Sequence, residues 1–297
     1  MSILLRQALE EMLEGWQSDL NAEWQAVLQA SAPDFGAVDP ALLHESWEPI
    51  FPTRKGVAIP GAPRQAHIFR ALDDIDPEDV TAIILGQDPY PNVSWATGRA
   101  FEQGNLDEWL LNPKSVSDSL ERIIPSVAVA RTSNLEYTMP THSATAWARV
   151  VADVASGVLP LQPPPTLFDH WQKQGVLFLN TGLTLSRFTR GGSPHQLRGH
   201  IPLWRPIIRT ILAHIATRSS GHVVFLLWGR VARDFFDESG VEEKARAAGT
   251  WDSRVRVVTH AHPAAVDVNG PLFFQGANPF VDANKALGAM AGDTIDW

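Results

Sequence analysis

The residues able to do chemistry fall at matching places along the chain. Asp88 and Tyr90 lie in the loop Gly86-Gln87-Asp88-Pro89-Tyr90-Pro91, Asn180 follows a second apolar run, and His262 follows a fourth. Carboxylate, phenol, amide and imidazole groups can between them accept and donate hydrogen bonds and exchange protons with a ligand. In the Gly86–Pro91 loop, glycine permits a tight turn and two prolines restrict the backbone. A plain turn needs no such rigidity, so the loop reads as a preorganised site. Asn180 ends a strongly apolar stretch, where a buried amide must bond either the backbone or a ligand. A single histidine is more often structural than catalytic. His260 and His262 are spaced to face one side of a strand, as a metal pair would. No His-x-x-Glu or acid cluster accompanies them, which disfavours a metal centre.

Four short apolar runs must position these groups: Val80–Leu85, Gly175–Leu179, His222–Trp228 and Arg254–Thr259. Each has the length of a buried strand, and helical patterns over Pro202–Arg218 and Val231–Ala248 separate the later ones. This alternation predicts an α/β fold, a single domain with a short central parallel sheet flanked by helices. Every polar or turn-forming cluster follows the carboxyl end of a run, where ligands bind in open α/β sheets. Gln87, Asp88, Tyr90, Asn180 and His262 can therefore converge on one pocket. The stripe of Leu5, Leu9, Leu13, Trp16, Leu20, Trp24 and Val27 predicts a helix over Ile3–Leu28 with a packing role. A second helix is expected over Gln65–Leu72. Residues 1–46 read as a helical extension packed on a core domain of residues 47–297. Poorly patterned residues 126–166 read as an insertion with one short helix around Trp147.

Composition excludes several functions. The 297 residues include no cysteine, so disulfides, zinc–thiolate sites, iron–sulfur clusters and cysteine nucleophiles are ruled out. No basic-then-apolar leader opens the chain and no apolar run could span a bilayer, so a cytoplasmic protein without membrane contact is expected. The net charge of -9 opposes nucleic-acid binding taken alone. Its distribution is uneven: residues 1–50 hold nine acids and one base, whereas His170–Arg233 holds nine bases and no acid. That segment reads equally as a basic face for phosphate or as scattered surface arginines.

The motifs together resemble family-1 uracil-DNA glycosylases. The Gly86–Pro91 loop is similar to their water-activating loop, with Pro91 where histidine is common. Gly98-Arg99-Ala100-Phe101 resembles the segment carrying the base-stacking phenylalanine, and Trp171–Asn180 the uracil-recognition strand. His195–His200, Val223–Gly229 and the terminal Thr294–Trp297 continue the likeness, which covers roughly Trp47–Trp297. The resemblance implies hydrolysis of the bond between uracil and deoxyribose, without metal or cofactor. Asp88 would orient the water and offset the sugar's positive charge, and neutral His262 would bond the uracil anion at O2. Phe101 would stack on the flipped base, Asn180 would read its Watson–Crick edge, Tyr90 would exclude a 5-methyl group, and the Gln87 backbone would hold the ring. Implied partners are uracil-containing DNA and a proteinaceous glycosylase inhibitor, with the enzyme a monomer.

The departures concern duplex handling. The family's intercalation loop typically reads HPSPLS; here His262–Asp267 reads HPAAVD. Pro263, Ala264 and Val266 occupy the DNA-facing positions, and Asp267 is unfavourable beside phosphate. Ser115 is the best match for the serine of the family's proline-rich phosphate loop, and Arg99 replaces an apolar residue. These changes predict a preference for single-stranded DNA. Two other functions stay open: a non-catalytic uracil or single-stranded DNA binding module, and a histidine-dependent metal hydrolase.

Overall fold

The computed structural model describes residues 2–110, 112–139, 143–189 and 192–297. Arg190 of the acid-free segment and 140–142 of the 126–166 segment lie outside them. In chain order the elements are β1 (Ser2–Leu4), α1 (Leu5–Met12), α2 (Ala22–Leu28), β2 (Leu43–Glu45), β3 (Ala82–Gly86), α3 (Leu120–Thr132), α4 (Ser143–Ala155), α5 (Pro164–Gln172), β4 (Val176–Asn180), α6 (Ile201–Thr217), β5 (Val223–Trp228), α7 (Gly229–Ser239), α8 (Val241–Ala247), β6 (Val255–His260), β7 (Val266–Asp267), β8 (Gly270–Pro271) and α9 (Pro279–Ala289).

The four predicted runs form one sheet in the order β4-β3-β5-β6, all parallel. Alternation along each strand sends side chains to two separate cores. Ile83, Leu85, Leu177, Leu179, Phe225 and Leu227 face the core completed by α1, α2, α6 and α8. Ala82, Ile84, Val176, Phe178, Val224 and Leu226 face the core completed by α3, α4, α5 and α9. The result is a three-layer α/β/α architecture in which the carboxyl ends of the strands share one rim.

The helices differ from the sequence-based expectations in instructive ways. The stripe over Ile3–Leu28 is not one helix: Ser2–Leu4 is a strand, and the helical part breaks at Gly15, which is left-handed at φ 65°. Asn21 then starts α2 by accepting a hydrogen bond from the Trp24 N–H at 2.9 Å. The stripe still packs as expected, with Leu5, Leu9 and Trp24 fully buried. The helix expected over Gln65–Leu72 is only a 3-10 turn at Arg70–Leu72. Its early backbone donors go elsewhere: His67 N–H to Thr97 O at 3.1 Å and Ile68 N–H to Thr53 O at 2.8 Å. The pattern over Val231–Ala248 is two helices, α7 and α8, broken at left-handed Gly240.

Residues 126–166 are no peripheral insertion. They begin inside α3, contain α4 and end in α5, and Val127, Trp147 and Val150 are fully buried in the second core. Helix α3 is enclosed on nearly every side from Leu120 to Val129, which erases the amphipathic period that would reveal a surface helix. Several bases of the acid-free segment are engaged by groups elsewhere in the protein. Arg187 pairs with Glu48, Arg198 with Asp39 at 2.6 Å, and buried Arg218 donates to the carbonyls of Pro77, Glu78, Val80 and His222. Two of these partners, Glu48 and Asp39, come from the acidic N-terminal stretch. No helix among the described residues is long and apolar enough to cross a membrane.

The N-terminal helices thus belong to the same core as the sheet. Leu9→Ala is expected to cost about 2–5 kcal/mol by leaving a cavity there, read as a lower midpoint in urea unfolding. An unchanged midpoint would mean that α1 docks on a core complete without it.

Candidate active site

The carboxyl-end rim opens into a cavity of about 700 Å³ lined by Gln87, Asp88, Tyr90, Phe101, Asn180 and His262, among others. The six pocket residues proposed from sequence are brought together by strands β3, β4 and β6 and the loops after them.

The close pairing of β3 with β4 sets the floor. Gly86 lies opposite Asn180 in the parallel register. A Cβ on Gly86 would stand 2.3 Å from Asn180 Oδ1 and 2.8 Å from the Ala100 Cβ, so only glycine leaves the amide its place. Asn180 is 2% exposed. Among the described residues no hydrogen bond engages its side chain, so its donor and acceptor are available to the cavity. The loop is tied down by backbone: Gly86 O accepts from Thr181 N at 3.0 Å, and Gln87 O accepts from Gly182 N and Thr181 Oγ1, each at 2.8 Å.

Two aromatic walls are equally constrained. Phe101 has φ 64°, a left-handed value unusual for a bulky residue, and its ring lies 5.3 Å from Trp228 and 6.2 Å from His262. The Tyr90 hydroxyl bonds Ser117 Oγ at 2.7 Å and donates to Phe101 O at 3.2 Å, which fixes its ring. Burial pushes the Tyr90 phenol well above its ordinary range, so it stays neutral.

Asp88 and His262 supply the titratable chemistry. Burial raises the Asp88 carboxyl to about 7. The Gln196 amide donates to Asp88 Oδ2. The His262 imidazole is lowered, first by burial and then by the Arg122 guanidinium. Its Nδ1 accepts from the Ala264 N–H at 3.1 Å, so a neutral ring carries its proton on Nε2. Close approach is again made by glycine: a Cβ on Gly229 would stand 2.7 Å from the His262 Cβ. Arg122 on α3 is buried and donates to Pro263 O at 3.2 Å, bracing the loop after His262.

His260 is not part of this cavity. Its Nε2 bonds the Ala277 carbonyl at 2.8 Å and its ring packs on Phe273. Among the described residues no group of three His, Cys, Asp or Glu could hold a metal ion.

The DNA-facing assignments fare differently. Ala264 lines a neighbouring depression of about 650 Å³, as do Lys114, Ser117 and Ser119; Ser115 does not, and its carbonyl accepts from Gln103 Nε2 at 2.9 Å. Residues 266–271 form a hairpin in which Val266 is 61% exposed and Val268, at the turn, is 100% exposed. Asp267 Oδ1 accepts from Asn269 N at 2.8 Å and Gln275 Nε2 at 3.1 Å, so this acid builds the turn. Arg99 is buried and lines the cavity, held by Asp169 at 2.7 Å, Glu102 at 3.0 Å and Gln172. Sequence reasoning missed Gln196, Arg122, Ser117 and Val268. Gln196 lay within a noted motif, yet nothing local marks which residue of a helical turn meets a loop a hundred residues earlier.

No protein-family model matches the chain. A uracil-DNA glycosylase of Pediococcus pentosaceus is 28% identical over 278 residues, which cover 94% of this chain and 94% of that protein. Among solved structures, the UNG of Nitratifractor salsuginis shares the fold with a TM-score of 0.57 at 22% identity, over 96% of both chains. A mimivirus UNG variant in complex with UGI is similar with a TM-score of 0.56 at 17% identity, over 95% of this chain and 90% of that one.

The raised Asp88 carboxyl has a consequence for stability. Its folded value of about 7 exceeds the ordinary 3.8, so the folded protein holds a proton that the unfolded chain releases. That stabilising contribution is full at low pH and is lost as pH rises through about 7. Asp88→Asn is therefore expected to raise the urea midpoint more at pH 8 than at pH 5; an equal change at both would show that Asp88 is not held protonated by burial.

Proposed function

We propose that this chain is a uracil-DNA glycosylase: it hydrolyses the N-glycosidic bond of uracil in DNA, releasing uracil and leaving an abasic site for base excision repair. The observation that carries this reading is the meeting of Asp88, Phe101, Asn180 and His262 in one cavity at the carboxyl end of the sheet. Curated glycosylases similar over nearly the whole chain support it.

The reaction leaves an oxocarbenium-like sugar and a uracil anion, so catalysis is a problem of two opposite charges formed at fixed places. Ionised Asp88 orients the water and offsets the sugar's positive charge. The bond to N1 breaks with its electron pair passing to uracil, the water adds at C1′ of the sugar cation, and the water's proton passes to Asp88. His262, protonated on Nε2 and neutral, donates to uracil O2 and spreads the anion's charge. A donor that is already neutral needs no proton transfer to act.

Recognition follows from the enclosure. Asn180 accepts from uracil N3–H and donates to O4; cytosine inverts both groups and would leave buried polar atoms unpaired. Phe101 stacks on the base face. The Tyr90 ring, fixed by its hydroxyl, stands against C5 and refuses thymine's methyl group. With Gln87 O committed to Thr181 and Gly182, the backbone N–H is the group left to this loop for the pyrimidine.

The hairpin handles the surrounding strand. Val268 at the tip, with Val266 behind it, supplies the apolar wedge, and the loop's serine hydroxyls are replaced by Ala264 and Asp267. Flipping a paired base costs a few kcal/mol, and a valine recovers about 0.8 kcal/mol less than a leucine in apolar burial. Single-stranded uracil DNA is accordingly the favoured substrate. The enzyme acts as a monomer. A proteinaceous inhibitor that closes the same groove is a further partner, by analogy with the mimivirus UNG–UGI complex.

Asp88→Asn and His262→Ala are each expected to lower turnover by about 10²–10⁴-fold, measured as uracil released from an oligonucleotide with chelator present. Uracil release by neither parent nor variants, with retained binding, would favour the non-catalytic module instead; inhibition by chelator would favour the metal hydrolase.

Val268→Ala is expected to lower kcat/KM on duplex uracil DNA several-fold while sparing single strands. Asp267→Ser, which removes two bonds of the turn, should not restore duplex activity on its own. Equal losses on both substrates in Val268→Ala would remove the wedge from this hairpin.

A further inference from the structure

We propose that Gln196 is a positioning residue for Asp88: its amide holds the carboxylate in the orientation and charge state in which it meets the attacking water. This rests on the glycosylase reading and adds a residue to it.

The Asp88 loop offers little help of its own. Pro89 and Pro91 lack backbone N–H groups, and Pro91 carries no polar side chain. Gln196 Nε2 donates to Oδ2 of the Asp88 carboxylate. Gln196 is itself 2% exposed and lines the same cavity. Its Oε1 accepts from Ser193 N at 3.4 Å, which turns the amide nitrogen towards Asp88. A buried glutamine oriented by backbone and aimed at a carboxylate is a costly arrangement unless the carboxylate must be held.

The support behind Gln196 is unusually deep. It opens Gln196–His200, a single wide π-helical turn that runs into α6. Such turns are rare and often occur at functional sites. Fully buried His200 bonds Thr184 Oγ1 at 2.8 Å and Ser186 Oγ at 2.9 Å, and His195 bonds the same Ser186 at 3.0 Å. Gly199 lets Leu5 and Leu42 close over the turn from the N-terminal segment: an added Cβ would stand 2.8 Å from Leu5 Cδ2. The turn is locked from both sides, so Gln196 has little freedom to leave Asp88.

The bond also sets a charge balance. Burial alone drives Asp88 towards its neutral form, in which it could not offset a positive sugar. Among the described residues, the other charged or titratable groups lining the cavity are Arg99, Arg205, Arg230, Asp234, Glu238 and His262. Arg99, Arg205 and Arg230 are engaged by Glu102, Glu238 and Asp234 respectively, and His262 is held towards neutrality. An amide N–H donated to the ionised form favours that form. Losing it moves the Asp88 titration upward by about one pH unit, as expected for one hydrogen bond to a charged group.

The test compares the full-length parent with Gln196→Met, which keeps the length and removes the donor, and with Gln196→Glu, which adds a like charge. Two readouts are taken: the ¹³C titration of the Asp88 carboxyl, and kcat/KM against pH for uracil release from a single-stranded oligonucleotide. The expected result is an upward move of the Asp88 titration, and of the acid limb of the profile, by about one unit in Gln196→Met and more in Gln196→Glu. Activity in Gln196→Met should recover towards the parent's above the new limb. A loss equal at every pH, with the Asp88 titration unmoved, would reduce Gln196 to packing and overturn the proposal; so would parental behaviour in both readouts. The carboxyl titration needs no turnover, so absence of uracil release by the parent overturns the glycosylase reading and leaves the Gln196 result legible. If Gln196→Met fails to fold, Gln196→Glu carries the same two readouts.

Discussion

The arrangement depends on one steric fact: the backbones of β3 and β4 approach so closely at Gly86 that the Asn180 side chain occupies the place of a missing Cβ. The parallel register puts the last residue of one strand beside the last residue of the other. The amide is thereby held by packing, with its hydrogen-bonding groups still free. The same device recurs where Gly229, at the end of β5, admits His262 beyond the end of β6. Selectivity at this site is a property of strand ends brought within contact distance, and the side chains inherit their precision from the backbone.

Around that floor burial works against charge on the two titratable groups proposed for the chemistry. Burial raises Asp88 and lowers His262, so both groups tend towards neutrality in the free protein. The arginines that line the same cavity are balanced by carboxylates, Arg99 by Glu102, Arg205 by Glu238 and Arg230 by Asp234. Arg122 acts from behind: it braces the Pro263 carbonyl, and its charge adds to burial in lowering the His262 imidazole.

How much of this was legible in the sequence follows from physical type. The four sheet strands are buried on both faces and therefore read as unbroken apolar runs, and the polar residues after them were correctly expected to converge. Helix α3 was hidden for the opposite reason: it is enclosed all round and carries Pro125, so no period marks it. The single helix expected at the N-terminus broke at Gly15 because a left-handed glycine overrides a continuous stripe. The expected helix at Gln65–Leu72 yielded to backbone bonds with Thr53 and Thr97, partners invisible to any local window. At the site, pocket residues carried by rigid strand ends were placed by motif. Ser115 and Val266 belong to loops whose shape is made by tertiary bonds, which no local pattern reveals: Ser117, not Ser115, lines the depression beside the cavity, and Val268 at the turn is more exposed than Val266.

The packing of Leu5 and Leu42 over Gly199 has a temporal meaning. Asp34 N–H also reaches Leu203 O, and Asp39 N–H reaches Arg198 O, so part of the N-terminal segment meets partners that lie far along the chain. At the other end, Trp297 is buried against Trp171 and Phe280. Contacts of such sequence separation make folding slow and late. During synthesis α1 and α2 cannot complete their burial until α6 has emerged, so that part of the first core closes late. An unfinished first core is a route to aggregation until those helices dock, and the pocket is complete only once the loop that carries His262 has followed β6.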